Sequence, residues 1–190
     1  MMMLLLGLAL FLGAHSVSIV SPTTRDAFVA KSGEVAWKIL YGLVSAIGLY
    51  LIIKGYAAAR LDPTLVWVPP VWTRHLAALL MLPVFVCFMA SYLPGRISAA
   101  LKHPQLVAVK LWAFSHLLAN GMLHDIVLFG SFLAWAVVDR ISMKRRTERD
   151  RIQAPKSAAN DILAVVIGLA AYGAFAFWAH AAWIGVRPFG

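Results

Sequence analysis

The sequence has few charged residues, and this shortage excludes most kinds of soluble domain. Only 13% of its 190 residues are Asp, Glu, Lys or Arg, whereas 62% are hydrophobic. The mean hydropathy is +0.80. A soluble domain of this length needs far more polar surface. Lipid is therefore the predicted environment of most of the chain, and the bilayer is its first expected partner.

The sequence also lacks two other patterns. Its single cysteine, Cys87, lies in an apolar run, so there is no disulfide framework and no C-x-x-C motif for metal or haem attachment. The apolar runs are long and continuous rather than alternating, which excludes a transmembrane barrel. Helices then remain the arrangement that satisfies every backbone N–H and C=O group in lipid. The predicted fold is an all-α, polytopic transmembrane helical bundle that forms one domain over residues 1–190.

Six apolar runs predict helices, since a spanning helix takes roughly 20 mostly apolar residues. The predicted ranges are 3–20, 38–58, 74–92, 105–119, 122–138 and 161–184. The fourth is short and stops at Asn120-Gly121, a typical helix end. We therefore expect five to six helices, with 105–138 forming either two crossings or a hairpin that dips into the membrane. The first run lacks a basic start and an A-x-A cleavage site, which favours a retained span over a removed signal peptide.

The net charge of +9 is concentrated in short connecting segments, with six basic residues between Arg140 and Arg151. This distribution indicates membrane topology rather than a nucleic-acid partner. The positive-inside rule places the loop 140–156 in the cytoplasm. Alternation then places segments 21–37 and 94–104 on the same side and both termini outside.

Ionisable residues at membrane depth cost roughly 3 kcal/mol each or more, so those that remain are candidates for function. The candidates are His15, Lys110 and His116, with His103, His124 and Asp125 as further ones. Other ionisable residues lie near helix ends, where water, headgroups or capping explain them; they are His75, His180, Asp139 and Asp161, and Asp125 also fits this interpretation. No nucleophile motif, phosphate loop or carboxylate pair supports hydrolase or kinase chemistry.

Single histidines on two facing helices are the donor set of a haem in a helical bundle. Trp112, His116 and Asn120 share one face of the fourth helix because they are four residues apart. Asn120 is the predicted acceptor for the second ring nitrogen of His116, and Ser16 or Ser18 for that of His15. From the residues alone two interpretations stay open: a haem held by His15 and His116, or histidines that bond to neighbouring helices.

Four segments of the chain resemble the NnrU family. They are His15-Ser-Val-Ser-Ile-Val, Lys102-His103-Pro104, Lys110 to Gly121, and Leu128 to Arg140. The resemblance covers nearly the whole chain and implies a protein of the bacterial inner membrane that is associated with denitrification and nitric oxide metabolism. The family is similar to the plant 15-cis-zeta-carotene isomerase, a membrane haem b protein with two histidine ligands. It thus implies haem b with His15 and His116 as metal ligands, His103 and Asn120 beside the cofactor, and isomerase or redox activity.

Two positions depart from the family pattern, because Lys102 replaces the usual arginine and Met122 the usual aspartate. A lysine keeps the charge but loses the bidentate fork. Lys102-His103-Pro104 also resembles the isoprenylcysteine carboxyl methyltransferases, which bind S-adenosylmethionine. The acidic pair of that group is not reproduced here, since only Glu148 and Asp150 stand there among arginines. A third interpretation is a non-enzymatic membrane partner or assembly protein for respiratory or nitric oxide enzymes.

Overall fold

The computed structural model describes residues 1–145 and 155–189, and the regular elements within these ranges are helices. They are α1 (Met2–Val20), α2 (Pro22–Ser32), α3 (Glu34–Ala59), α4 (Val71–Ala90), α5 (Arg96–Leu101), α6 (Pro104–Ala119), α7 (Leu123–Ser142) and α8 (Ala158–Ala174). A π-helical segment, Phe175–Ile184, continues α8. The all-α prediction is confirmed.

Each of the six predicted helices has a counterpart, whereas the short helices α2 and α5 were predicted as loops. Within the described part of the chain, four helices are long and apolar enough to cross a membrane: α1, α3, α4 and α8 with its π-helical extension. Helix α6 has only 16 residues. Helix α7 carries Asp125, Asp139 and Arg140. A membrane-dipping hairpin over 105–138 stays a prediction.

The chain divides into two compact units, which are described separately. Unit 1 contains Met1–Trp67 and the described residues from Gly121 to 145, and thus helices α1, α2, α3 and α7. Unit 2 contains Val68–Asn120 and residues 155–189, and thus α4, α5, α6, α8 and the π-helical segment. The single domain over 1–190 stays a prediction.

Unit 1 is built on a close contact between α1 and α3. A Cβ added to Gly7 would lie 2.5 Å from the backbone nitrogen of Ile52, and one added to Gly48 would lie 2.7 Å from that of Phe11. A Cβ on Gly55 would collide with the backbone of Leu4. Small residues let helix backbones approach closely in membranes, where dispersion forces replace the hydrophobic effect. Glycine at these positions therefore determines how α1 packs on α3.

Unit 2 is built on α4, which packs against α6 and α8. Val84, Cys87 and Ala108 form the buried centre of this packing. On the α8 side, a Cβ added to Gly168 would lie 2.6 Å from the Cα of Val86. Both units thus use glycine to bring apolar helices together.

The start of α8 also holds the turn that follows α4. The two carboxylate oxygens of Asp161 accept hydrogen bonds from the backbone N–H groups of Arg96 (2.9 Å) and Ile97 (3.0 Å). Asn160 donates to the carbonyl of Pro94 at 2.8 Å. Asp161 therefore caps α5 rather than its own helix.

Large apolar side chains stay exposed along the long helices. On α3 they include Val35, Ile39, Leu43, Ile47 and Ile53, all more than half exposed. Contiguous apolar surface of this extent needs lipid around it. The chain is an integral membrane protein.

Candidate functional site

His15 lies on α1 in unit 1 and is surrounded by aromatic rings. Its Nδ1 donates to the carbonyl oxygen of Phe11 at 2.7 Å. The ring centroids lie 4.2 Å from Phe11, 5.1 Å from Tyr41 and 5.9 Å from Trp135. These neighbours come from α1, α3 and α7. The walls around His15 thus contain one ring from α1 itself and one from each of α3 and α7, which both pack against α1.

The hydrogen bond to Phe11 determines the tautomer of His15. With the proton on Nδ1, Nε2 carries the lone pair and is the ring nitrogen available to a metal. The predicted acceptors Ser16 and Ser18 were wrong for this ring, because a backbone carbonyl one turn earlier takes the proton. Beside it, the indole Nε1 of Trp135 is buried and has no hydrogen-bond partner among the described residues.

His116 lies on α6 in unit 2 and is held in the same manner. Its Nδ1 donates to the carbonyl oxygen of Trp112 at 2.8 Å, and the two rings lie 5.5 Å apart. Asn120 is not the acceptor predicted for this ring, because its Nδ2 donates to the backbone carbonyl of His116 at 2.8 Å, as does its backbone N–H at 2.9 Å. Asn120 thus ends α6 and bonds the backbone of His116, not its ring. Its place beside a cofactor stays a prediction.

His180 lies next to His116, which the sequence did not indicate. The two rings are 6.5 Å apart and nearly parallel, with an interplanar angle of 20°. His180 belongs to the π-helical segment, and its Nδ1 donates to the carbonyl of Val186 at 2.7 Å. The chain turns between His180 and Val186 at Gly185, where φ is +76°. Widened helical turns of this kind occur frequently at functional sites.

The Lys102-His103-Pro104 junction begins α6. His103 is the N-cap and Pro104 the first helical residue; there the missing N–H of proline costs no hydrogen bond. His103 is half-buried. Lys102 has φ of +61°, the only positive φ at a non-glycine residue in the described ranges. Glu148 and Asp150, which stand where the methyltransferases have their acidic pair, lie outside the described residues.

Unit 1 also contains a buried polar group formed by Tyr56, His124 and Asp125, called the Tyr56 cluster below. The phenol of Tyr56 donates to Oδ1 of Asp125 at 2.6 Å, and Nε2 of His124 lies 3.6 Å from the same oxygen. His124 and Asp125 are only 4% and 5% exposed. Interfacial solvation of Asp125 was therefore the wrong explanation, because its partner is a side chain on another helix.

The predicted site residues lie in both units. His15 belongs to unit 1, whereas His103, His116 and Asn120 belong to unit 2. Within the described ranges, no three His, Cys, Asp or Glu side chains are grouped so that they could hold a metal ion by themselves. Ligation of one iron by His15 and His116 stays a prediction.

Comparison with known proteins gives one family. Residues 3–188 match the family described as NnrU protein. No curated protein and no solved structure matches the chain.

Proposed function

The chain belongs to the NnrU family, and from this we propose that it is a haem b protein of the bacterial inner membrane that acts in denitrification or nitric oxide metabolism. The proposed ligands are His15 and His116, and the proposed activity is redox chemistry or isomerisation.

One observation supports the proposal above all others: each histidine ring makes the same hydrogen bond to the backbone of its own helix. In each, Nδ1–H donates to the carbonyl oxygen four residues earlier, at 2.7 Å for His15 and 2.8 Å for His116. Histidines that bind metals usually donate their other ring N–H to such an acceptor, which fixes the ring and makes it a better ligand. Two imidazoles that present Nε2 in this way would be suitable ligands for haem iron.

The surroundings of the two histidines also suit a large apolar cofactor. Phe11, Tyr41 and Trp135 surround His15, and Trp112 lies beside His116. Aromatic walls exclude water, which stabilises a bis-histidine haem and influences its potential.

Each unit also buries a polar atom that has no hydrogen-bond partner among the described residues. They are Nε1 of Trp135, whose ring lies 5.9 Å from that of His15, and Oγ of Ser115, the residue before His116 in the sequence. An unsatisfied buried donor costs about 1–3 kcal/mol. Such donors are suited to polar atoms of a bound group.

When bound, haem supplies electron transfer or ligand binding at iron. The chain itself would orient the two imidazoles through the Phe11 and Trp112 carbonyls and exclude water from the cofactor.

The proposed topology has the loop 140–156 in the cytoplasm, because seven basic residues lie between Arg140 and Lys156. This orientation is the same whether α6 and α7 both cross the membrane or form a dipping hairpin, since together they add either two crossings or none. A reporter fused after Lys144 should be active as a cytoplasmic fusion. Periplasmic activity at that position would reverse the orientation.

The proposal is tested by purifying the full chain in mild detergent and recording a reduced-minus-oxidised spectrum. We expect the bands of a six-coordinate low-spin b-type haem at about one haem per chain. A preparation supplied with haemin during expression that still contains none contradicts the proposal. Titration of the same preparation with S-adenosylmethionine tests the methyltransferase interpretation, and the absence of both ligands favours a non-enzymatic partner.

A further inference from the structure

The Tyr56 cluster brings together three side chains that can hold a proton. Tyr56 is on the last turns of α3, and His124 and Asp125 are in the first turn of α7. Besides the 2.6 Å bond from Tyr56 to Asp125, the Tyr56 and His124 rings lie 5.2 Å apart in an edge-to-face arrangement. The cluster is separate from His15 and does not depend on the presence of a haem.

Asp125 is buried, and few groups near it can compensate a negative charge. Among the described residues, His124 is its only ion-pair partner within 4 Å, and no lysine or arginine reaches it. A buried carboxylate needs hydrogen bonds or a counter-charge to be stable. Tyr56 supplies a hydrogen bond to Asp125, and a protonated His124 would supply a counter-charge.

The charged and titratable groups around the pair are few. Arg60, the exposed C-cap of α3, acts electrostatically on Tyr56. Helix α1, which packs on α3 and α7, has no ionisable side chain before His15; only the amino group of Met1 stands at its start. In the connection after α3, the exposed Asp62 is the acidic residue nearest to Tyr56 in the sequence.

That connection lies against the start of α7. The N–H of Leu123 donates to the carbonyl of Thr64 at 2.8 Å, and the N–H of Val66 donates to that of Gly121 at 2.9 Å. Leu65 forms an isolated antiparallel bridge with Met122. These backbone bonds hold the connection after α3 against the residues that precede His124.

We propose that Tyr56, His124 and Asp125 form a proton-binding site that takes up and releases one proton. On uptake, a proton from water bonds to Nε2 of His124, and the imidazolium pairs with the Asp125 carboxylate. On release, that N–H bond breaks and the proton returns to water. The carboxylate then keeps the hydrogen bond from Tyr56 and the favourable field of the α7 N-terminus.

The test is a pH titration of the full chain in detergent by ¹⁵N NMR of its histidine side chains, with His124 assigned from His124→Gln. Asp125→Asn removes the counter-charge, so the His124 transition should move to lower pH, with proton affinity reduced at least about tenfold. Tyr56→Phe removes the donor that stabilises the carboxylate, so the transition should move to higher pH. Tyr50→Phe, an exposed position on the same helix, is the matched control and should change nothing.

Opposite shifts in the two variants support the site, because a general loosening of the fold would move His124 in one direction only. Unchanged transitions in folded variants, or shifts of the same sign, overturn it. If either variant fails to fold, the wild-type titration decides: a His124 ring that never changes protonation between about pH 5 and 8 overturns the proposal, and a transition in that range supports it.

Discussion

Units 1 and 2 each hold a histidine by the same backbone bond, but they bury polar groups in different ways. In unit 1, rings from α1, α3 and α7 surround His15, and the Tyr56 cluster joins ionisable side chains to one another. In unit 2, the carboxylate of Asp161 instead bonds backbone N–H groups at the start of α5. The first arrangement buries ionisable side chains against one another, whereas the second stabilises a turn.

The helix contacts differ in a related way. Unit 1 depends on three glycines, Gly7, Gly48 and Gly55, where backbones of α1 and α3 meet. In unit 2 the close contact of α4 and α8 is at Gly168, and the rest of the core is made of side chains such as Val84 and Cys87. Unit 1 should therefore be the less tolerant of added side-chain volume.

The largest expected effect comes from breaking that contact. Gly55→Leu should reduce the free energy of unfolding by about 3 kcal/mol or more, because the new side chain meets the backbone of Leu4 and cannot be accommodated by rotation. The measurement is unfolding in mild detergent titrated with SDS. Gly42→Leu is the control on the same helix, since nothing lies within 4 Å of its Cβ position. Equal stability of the two variants would contradict the glycine contact.

A smaller effect is expected in unit 2 from Asp161→Ala. The N–H groups of Arg96 and Ile97 lose their acceptor, so hydrogen exchange of these two amides should become faster while the helices around α4 remain protected. Asp62→Ala, at an exposed position of unit 1, is the control. Unchanged exchange at both amides would show that the carboxylate does not hold the turn in solution.

The smallest effect is a gain in stability at Lys102. Glycine adopts φ of +61° without the steric cost that lysine has there, so Lys102→Gly should stabilise unit 2 by about 1 kcal/mol. Lys31→Gly, in the last turn of α2, should destabilise the chain by a similar amount because it places glycine in a helix. The same SDS titration measures both, and a loss of stability in Lys102→Gly would mean that the lysine side chain makes a contact worth more than the strain.

The long helices could be predicted from the sequence because length and apolar composition determine them. Helices α2 and α5 were missed because α2 is polar, as in Thr23-Thr24-Arg25-Asp26, and α5 has only six residues. Residue type alone identified His15 and His116 as candidates. Their acceptors were missed because a side-chain rotamer, not the sequence spacing, directs Nδ1 to the preceding turn.

Contacts between side chains of different helices could not be predicted from the sequence for a different reason. Tyr56 and Asp125 are 69 residues apart, and no periodicity relates them. The approach of His180 to His116 needs a π-helical turn, which differs from an α-helix by a small change in hydrogen bonding and has no distinct pattern of apolar residues. Both contacts depend on packing between helices that local patterns do not describe.

The central claim is that His15 and His116 hold a haem, and the spectra of single variants test it most directly. His15→Ala and His116→Ala should each abolish the six-coordinate low-spin spectrum, whereas His75→Ala, an exposed position on α4, should leave it intact. His180→Ala should also retain the spectrum. If both His15→Ala and His116→Ala keep the wild-type haem spectrum, the account is contradicted.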